Sequence, residues 1–299
     1  KKVSEKVESI IRRIPTWHKL YLADARNLCE FIRDESVHLI VTSPPYWTLK
    51  KYRKVEGQLG LIKDYNMFLK ELDKVWRNCY RVLVPGGRLI VVVGDVCLAR
   101  RLYGRHRVVP LHADIQRHCV DIGFENLAPI IWYKIANITP EMNRSSYFLG
   151  KPYEPNAVIK NDIEFILMFR KPGYRRPSIL KRRLSLIPAD KFKEWFVQVW
   201  MIRGETTKYH PAPFPVELAE RLIRMFSFVG DTVLDPFIGT GTTTIAAIRS
   251  GRNSIGIEID PEFFEYAKKR ISLEASRLFT KISFEAISYG KPIKQVEKT

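Results

Sequence analysis

The chain has 299 residues, 45% of them apolar and 27% charged, with 50 Lys/Arg against 32 Asp/Glu for a formal net charge of +18. That apolar share excludes wholesale disorder, and the length allows one large α/β domain or two small ones. The charge favours a polyanionic partner, most simply nucleic acid, and no stretch approaches the ~20 uncharged apolar residues that span a bilayer.

The N-terminal stretch KKVSEKVESIIRRIP has neither an apolar run nor a small-residue cleavage site, so no secretory signal is expected. HKLYLAD (18–24) reads as a short strand ending at an acid, and SVHLIVTSPPYW (36–47) as a buried strand running into a rigid Pro-Pro turn. From Tyr65 to Leu83 apolar residues recur at a spacing of three and four, which predicts a helix. PGG (85–87) is read as its stop, and RLIVVVGD (88–95) as another buried strand. A helix over 108–124, a strand over 126–134 and a strand over 162–171 follow. Then come a helix over 214–227 with Pro215 near its first turn, a strand over 231–237 and a helix over 242–251. A strand over 253–260 and a helix over 261–278 complete the series.

Strands alternating with helices imply crossover connections and a mostly parallel sheet covered on both faces. Two stretches break the alternation and read as insertions: 135–161, polar and rich in Pro and Asn, and 172–209. From Arg170 to Lys208 there are eleven Lys/Arg against three Asp/Glu, a local charge of +8. The tail from Lys281 shows no clear period and is read as partly disordered. The cysteines at 29, 79, 97 and 119 have no CxxC spacing and no histidine at zinc-ligand distance. They are expected to be small buried residues in a reducing, cytoplasmic compartment, with no metal site.

Two constellations carry chemistry. In DPFIGTGTT (235–243) a buried strand ends at Asp235, a loop with Gly239 and Gly241 follows, and a helix begins. Glycines let backbone approach a ligand, and a helix start offers free N–H groups. Glu258 ends the next strand about 20 residues on, where an acid takes the ribose hydroxyls of a nucleoside cofactor in doubly wound folds. A tight turn with a solvated acid is the plainer alternative. The loop matches neither GxGxxG nor GxxxxGK[ST], which disfavours a nicotinamide or flavin site and removes a P-loop. The second constellation is Thr42-Ser43-Pro44-Pro45-Tyr46-Trp47, at the end of a buried strand. Two prolines fix the backbone and remove N–H donors, leaving carbonyls and the Ser43 hydroxyl as acceptors beside an aromatic ring. Such a site suits a planar group bearing an NH2.

TSPPYW with DPFIGTGTT closely resembles the amino-methylating DNA methyltransferases that use S-adenosylmethionine. Here the (D/N/S)PP(Y/F/W) motif precedes the cofactor motif, the circularly permuted order of the beta group. The resemblance covers roughly residues 17–280 and includes LADARNL around Asp24, the PGG-strand-GD stretch, IIWYK and HPAPFPVELAERLI. It implies a Rossmann-like α/β fold with a seven-stranded, mostly parallel sheet and its last strand, 162–171, antiparallel. Strands ending at Asp24, Asp235 and Glu258 would form the cofactor half; those ending at Thr42, Asp95, Lys134 and Arg170 the catalytic half. By region, 1–171 would carry the catalytic half, 172–209 a short basic target-recognition segment, 210–280 the cofactor half and 281–299 a tail. Asp24, Thr42, Asp235, Phe237, Gly239, Thr240, Gly241, Thr242 and Glu258 would build the cofactor site, and Ser43, Pro44, Pro45 and Tyr46 the catalytic one.

The implied activity is transfer of a methyl group to the exocyclic N4 of a cytosine flipped out of double-stranded DNA, because Ser in the first place of the motif is associated with cytosine. N6-adenine is the alternative; a catalytically silent DNA-binding subunit would show damage to SPPY or GTG, and neither is damaged. Ser43 and the Pro44 carbonyl would accept the amino hydrogens, and Tyr46 would stack on the base, with Trp47 packing nearby. Arg175, Arg176, Lys181, Arg182 and Arg183 in the +8 segment are expected to face DNA. Arg100, Arg101, Arg105 and Arg107 either touch phosphate or line a solvated loop. His210 is read as a capping, packing or cofactor-side residue, Trp195 and Trp200 as local core, and Lys134 either as near the active site, as the resemblance implies, or simply as a strand end. The recognition sequence, a cognate restriction endonuclease and the oligomeric state are left open.

Overall fold

The computed structural model describes residues 2–11, 13–48, 52–98, 100–134, 159, 161–204, 214–277 and 281–290. His210 and nearly all of the 135–161 insertion lie outside the described residues. In chain order the strands are β1 (Thr16–Leu22), β2 (Val37–Thr42), β3 (Leu83–Val93), β4 (Val96–Leu98), β5 (Arg107–Val109), β6 (Glu125–Lys134), β7 (Ile163–Arg170), β8 (Val199–Ile202), β9 (Thr232–Asp235), β10 (Asn253–Glu258) and β11 (Ile282–Ser288). The helices are α1 (Lys2–Ile11), α2 (Tyr65–Val82), α3 (Arg100–Tyr103), α4 (Leu111–Ile122), α5 (Ile179–Leu184), α6 (Ala189–Trp195), α7 (Val216–Phe226), α8 (Thr242–Arg249) and α9 (Pro261–Ser276).

Among the described residues, nine strands form one sheet in the order β11-β1-β10-β9-β2-β3-β7-β6-β8. The seven expected strands are its centre, and β7 is antiparallel to both β3 and β6, as expected. Both edges are additional. The supposed tail forms β11, parallel to β1 from Thr16↔Ile282 to Leu22↔Ser288, and the basic insertion supplies β8, parallel to β6. Strand β1 pairs with β10, so residues 16–22 sit in the cofactor half although they begin the chain.

Period-two alternation divides the core. Ile40, Leu89, Val91 and Val93 point to one face, where they meet Phe68, Leu72 and Trp76 of α2 and Ile115 of α4. Leu39, Val41, Ile90 and Val92 point to the other, against Leu218 and Leu222 of α7 and Ala246 of α8. Helix α2 starts where the Asp64 carboxylate accepts from the Met67 N–H at 2.7 Å. It ends at Val82, and the PGG residues lie inside β3 rather than in a connecting turn. Gly86 takes φ +75 there and packs against the Gly173 carbonyl at the start of the basic segment. Among the described residues no helix is long and apolar enough to cross a membrane.

Candidate active site

The carboxyl ends of β1, β2, β9 and β10 converge on an open cleft. Such crevices are where open α/β sheets hold ligands. Asp24, Ser43, Pro44, Pro45, Phe237 and Glu258 line it, all anticipated from sequence. So do Tyr52, Gly57, Gln58, Leu59, Ile259 and Phe263, which were not.

Glu258 anchors one wall. Its Oε2 accepts from the Gly239 N–H at 2.9 Å, and its Oε1 from the Ile259 and Asp260 N–H groups at 3.0 and 2.9 Å. Burial nevertheless pushes its carboxyl up to about 8. The Gly239 amide therefore serves the protein's own carboxylate. Gly241 has φ +86, and a Cβ there would lie 3.2 Å from Ile271, so this glycine permits the close packing of α8 on α9. Thr240 and Thr242 are buried, with their hydroxyls 3.4 Å apart. The glycine loop thus packs behind Glu258 and against α9.

Asp235 and Thr42 bond to each other. Asp235 is 1% exposed; its Oδ1 accepts from the Thr42 hydroxyl at 2.6 Å and the Phe237 N–H at 3.0 Å, and its Oδ2 from the Thr243 hydroxyl at 2.6 Å. Its acceptors are used within the protein, so these two residues join the catalytic strand β2 to the cofactor strand β9. Burial raises its carboxyl to about 6 against those three donors. Asp24 lines the cleft, but Arg26 clasps its carboxylate and also donates to Glu71. Gly57 closes over this clasp; a Cβ on it would meet Asp24 Oδ2 at 3.1 Å.

On the catalytic wall, the Tyr52 hydroxyl accepts the Tyr46 N–H at 3.1 Å, which fixes the turn from the cleft side. Arg53 ties the same loop to α9 through Asp260, at 3.4 Å, and Glu262. Tyr46 is 3% exposed. Its hydroxyl lies 3.2 Å from Ser43 Oγ, 3.1 Å from Glu164 Oε2 and 3.4 Å from the Val92 carbonyl. The ring is thus buried, with its hydroxyl pinned between Ser43 and Glu164. Glu164 in turn holds Lys134 of the IIWYK stretch. Trp47 takes φ +44 and packs edge-on against Tyr65 at 5.0 Å.

The expected DNA surface divides. Arg100, Arg101, Arg105 and Arg107 are exposed on the β4–α3–β5 excursion that follows the carboxyl end of β3. The +8 segment instead leaves the Arg170 end of β7, which pairs with Arg88 at the amino end of β3, opposite the cleft. Arg175 spends its guanidinium on buried Asp231 at 2.5 Å, and Lys181 approaches the same carboxylate at 3.6 Å. Arg176, Arg182 and Arg183 are exposed on that same end. These side chains therefore lie at the amino end of the sheet, whereas β8 of the same segment runs parallel to β6 toward the cleft end. Trp195 and Trp200 are buried, in line with a local core.

The cleft suits a nucleoside. Glu258 offers acceptors to a diol, Phe237, Ile259 and Phe263 offer apolar faces to a flat heterocycle, and Ser43-Pro44 bound its far end. With the permuted strand order, these two walls define the class: an amino-group methyltransferase on the S-adenosylmethionine fold. The N6_N4_Mtase family, described as DNA methylase, matches residues 37–269, and the chain belongs to that family. It is 38% identical to the type II methyltransferase M.MjaI of Methanocaldococcus jannaschii, over 93% of this chain and 98% of that one. Identity to M.MthZI of Methanothermobacter thermautotrophicus is 34%, over 91% and 81%. A putative DNA modification methylase of Thermus thermophilus, solved with S-adenosyl-L-methionine, superposes with a TM-score of 0.75 at 50% identity, covering 92% of this chain and 99% of that one. The cytosine-N4-specific PvuII DNA methyltransferase shares the fold, with a TM-score of 0.61 at 20% identity over 91% and 98%.

Proposed function

We propose that this DNA methyltransferase of the N4/N6 family methylates the exocyclic N4 of a cytosine flipped out of duplex DNA, with S-adenosylmethionine as donor. The observation that supports it most is Ser43 at the carboxyl end of β2, on the lip of the nucleoside cleft. An aromatic amine is a weak nucleophile because its lone pair is spread into the ring. Ser43 Oγ and the Pro44 carbonyl accept its hydrogens and help localise that pair. The bound cofactor supplies an electrophilic methyl carbon. Pro44 and Pro45, with the Tyr52 bond to the turn, hold the acceptors still, so that nitrogen and methyl meet in line. Glu258 and Asp24 orient the nucleoside end, and Arg100, Arg101 and Arg105 offer phosphate contacts on the same edge.

Incubating the protein with DNA and S-adenosylmethionine, then digesting and weighing the nucleosides, tests the reading. N4-methylcytosine is the expected product. N6-methyladenine alone would overturn the cytosine assignment and leave amino-group methylation standing.

A further inference from the structure

We propose that Ser43, Tyr46 and Glu164 form a proton exit, through which the methylated amino group discharges into a carboxylate held by Lys134. The inference rests on the amino-group reading above and holds for either target base.

The chain of contacts is continuous. Ser43 Oγ donates to the Tyr46 hydroxyl at 3.2 Å, and that hydroxyl donates to Glu164 Oε2 at 3.1 Å, with the Val92 carbonyl as a second acceptor at 3.4 Å. Glu164 Oε1 receives the Lys134 ammonium. Glu164 is 8% exposed within the otherwise apolar strand IEFILMF. Gly94 lets it approach Tyr46: a Cβ there would lie 3.2 Å from Glu164 Cγ and 3.5 Å from Tyr46 Cε2. A charge in such a strand is costly unless paired, and an apolar pair would hold β6 to β7 equally well. The retained carboxylate therefore asks for a chemical use, and the two hydroxyls that lead from Ser43 supply one.

The reaction also needs an exit. As the amine lone pair forms the N–CH3 bond, the C–S bond breaks and its electrons stay on sulfur. Positive charge builds on a nitrogen that still carries two hydrogens, and the relay takes one of them as that charge develops. One hydrogen passes to Ser43 Oγ as the Ser43 hydrogen passes to the Tyr46 oxygen and the Tyr46 hydrogen to Glu164 Oε2. The methylated amine is then neutral, both hydroxyls are restored and Glu164 is a neutral acid. Burial and the facing Glu164 hold the Tyr46 phenol well above its usual range, so its two proton movements are concerted. The groups facing the relay are Lys134 from β6, Glu164 from β7 and Tyr52 from the cleft loop. The half-exposed Lys134 side returns the proton to water between turnovers.

Tyr46→Phe keeps the ring and cuts the relay, while Glu164→Gln keeps the shape and removes the basic oxygen. In preformed complexes, single-turnover methyl transfer should fall about 10²-fold in each, the lower range for a lost general base. S-adenosylmethionine and DNA affinities should be unchanged. The variants' rates should climb with pH and with added buffer base, while the parent's profile stays flat. An infrared difference spectrum across one turnover should show a protonated-carboxyl band in the parent and none in Glu164→Gln. Tyr46→Phe transferring at the parental rate with the parental pH profile would overturn the exit, whether or not Glu164→Gln folds, and leave amino-group methylation intact. A parent protein that methylates no amino group overturns both.

Discussion

Glu258 is subject to opposing demands. Three backbone N–H groups favour its charged form, while burial favours the neutral one and prevails, lifting the carboxyl from 4.5 to about 8. The unfolded chain gives up this proton near 4.5, the folded chain near 8, so between those values the native state binds more protons. Without cofactor, this group's contribution to stability should decline as pH rises through that window. Urea titrations at a series of pH values should show the decline in the parent and a flatter profile in Glu258→Gln. Ribose hydroxyls donate most strongly to a carboxylate, so affinity for S-adenosylmethionine should rise with pH around 8. Calorimetry of Glu258→Gln should find weaker binding, by about 1–3 kcal/mol for a lost charged hydrogen bond, with the pH dependence gone.

At the scale of elements, the site is a junction between β2 and β9 held by one carboxylate. Removing the Thr42 hydroxyl leaves buried Asp235 one donor short, although Phe237 N–H and Thr243 remain. Thr42→Val should therefore cost about 1–3 kcal/mol in chemical denaturation and raise the Asp235 carboxyl further, since a bond favouring its charged form is gone. The central strands were legible in the sequence because they are continuous apolar runs ending in chemistry: Thr42-Ser43, Asp235 and Glu258. What escaped reading lacks that signature. Strand β11, ISFEAIS, is a half-exposed edge whose alternation is weak, and β8 is only four residues long. The cleft wall at Tyr52, Gln58 and Leu59 belongs to a loop, and loops have no period. Its one local signal is Gly57, with φ +83, where backbone closes on Asp24. Asp235, Gly239 and Gly241 build the loop that places Glu258 and Phe237 at the cleft.

On the whole molecule, the sheet has two ends with different electrostatic work. At the amino end Asp231 is buried and gathers Arg175 at 2.5 Å, Lys181 at 3.6 Å and His38 at 3.9 Å, docking the basic segment onto the start of β9. That cluster is structural, and Arg175→Ala should lower stability by up to about 3 kcal/mol, because it strips the nearest partner from a buried charge. At the carboxyl end Ser43 opens beside the β4–α3–β5 excursion, and β6 and β8 both finish there, at Lys134 and Ile202. On the proposed reading, a base flipped onto Ser43 would keep its flanking phosphates on that end, the side of Arg100, Arg101 and Arg105 rather than of Arg176, Arg182 and Arg183. Replacing the first three arginines by glutamine should weaken DNA binding and flatten its dependence on salt, by about 0.9 in the log–log slope for each phosphate no longer neutralised. The same change at Arg176, Arg182 and Arg183 should leave the slope near the parent's, and neither triple variant should alter S-adenosylmethionine affinity. Fluorescence anisotropy with a methylatable duplex across a salt series separates the two. A steeper loss from the second triple than from the first would return the DNA face to the amino end of the sheet.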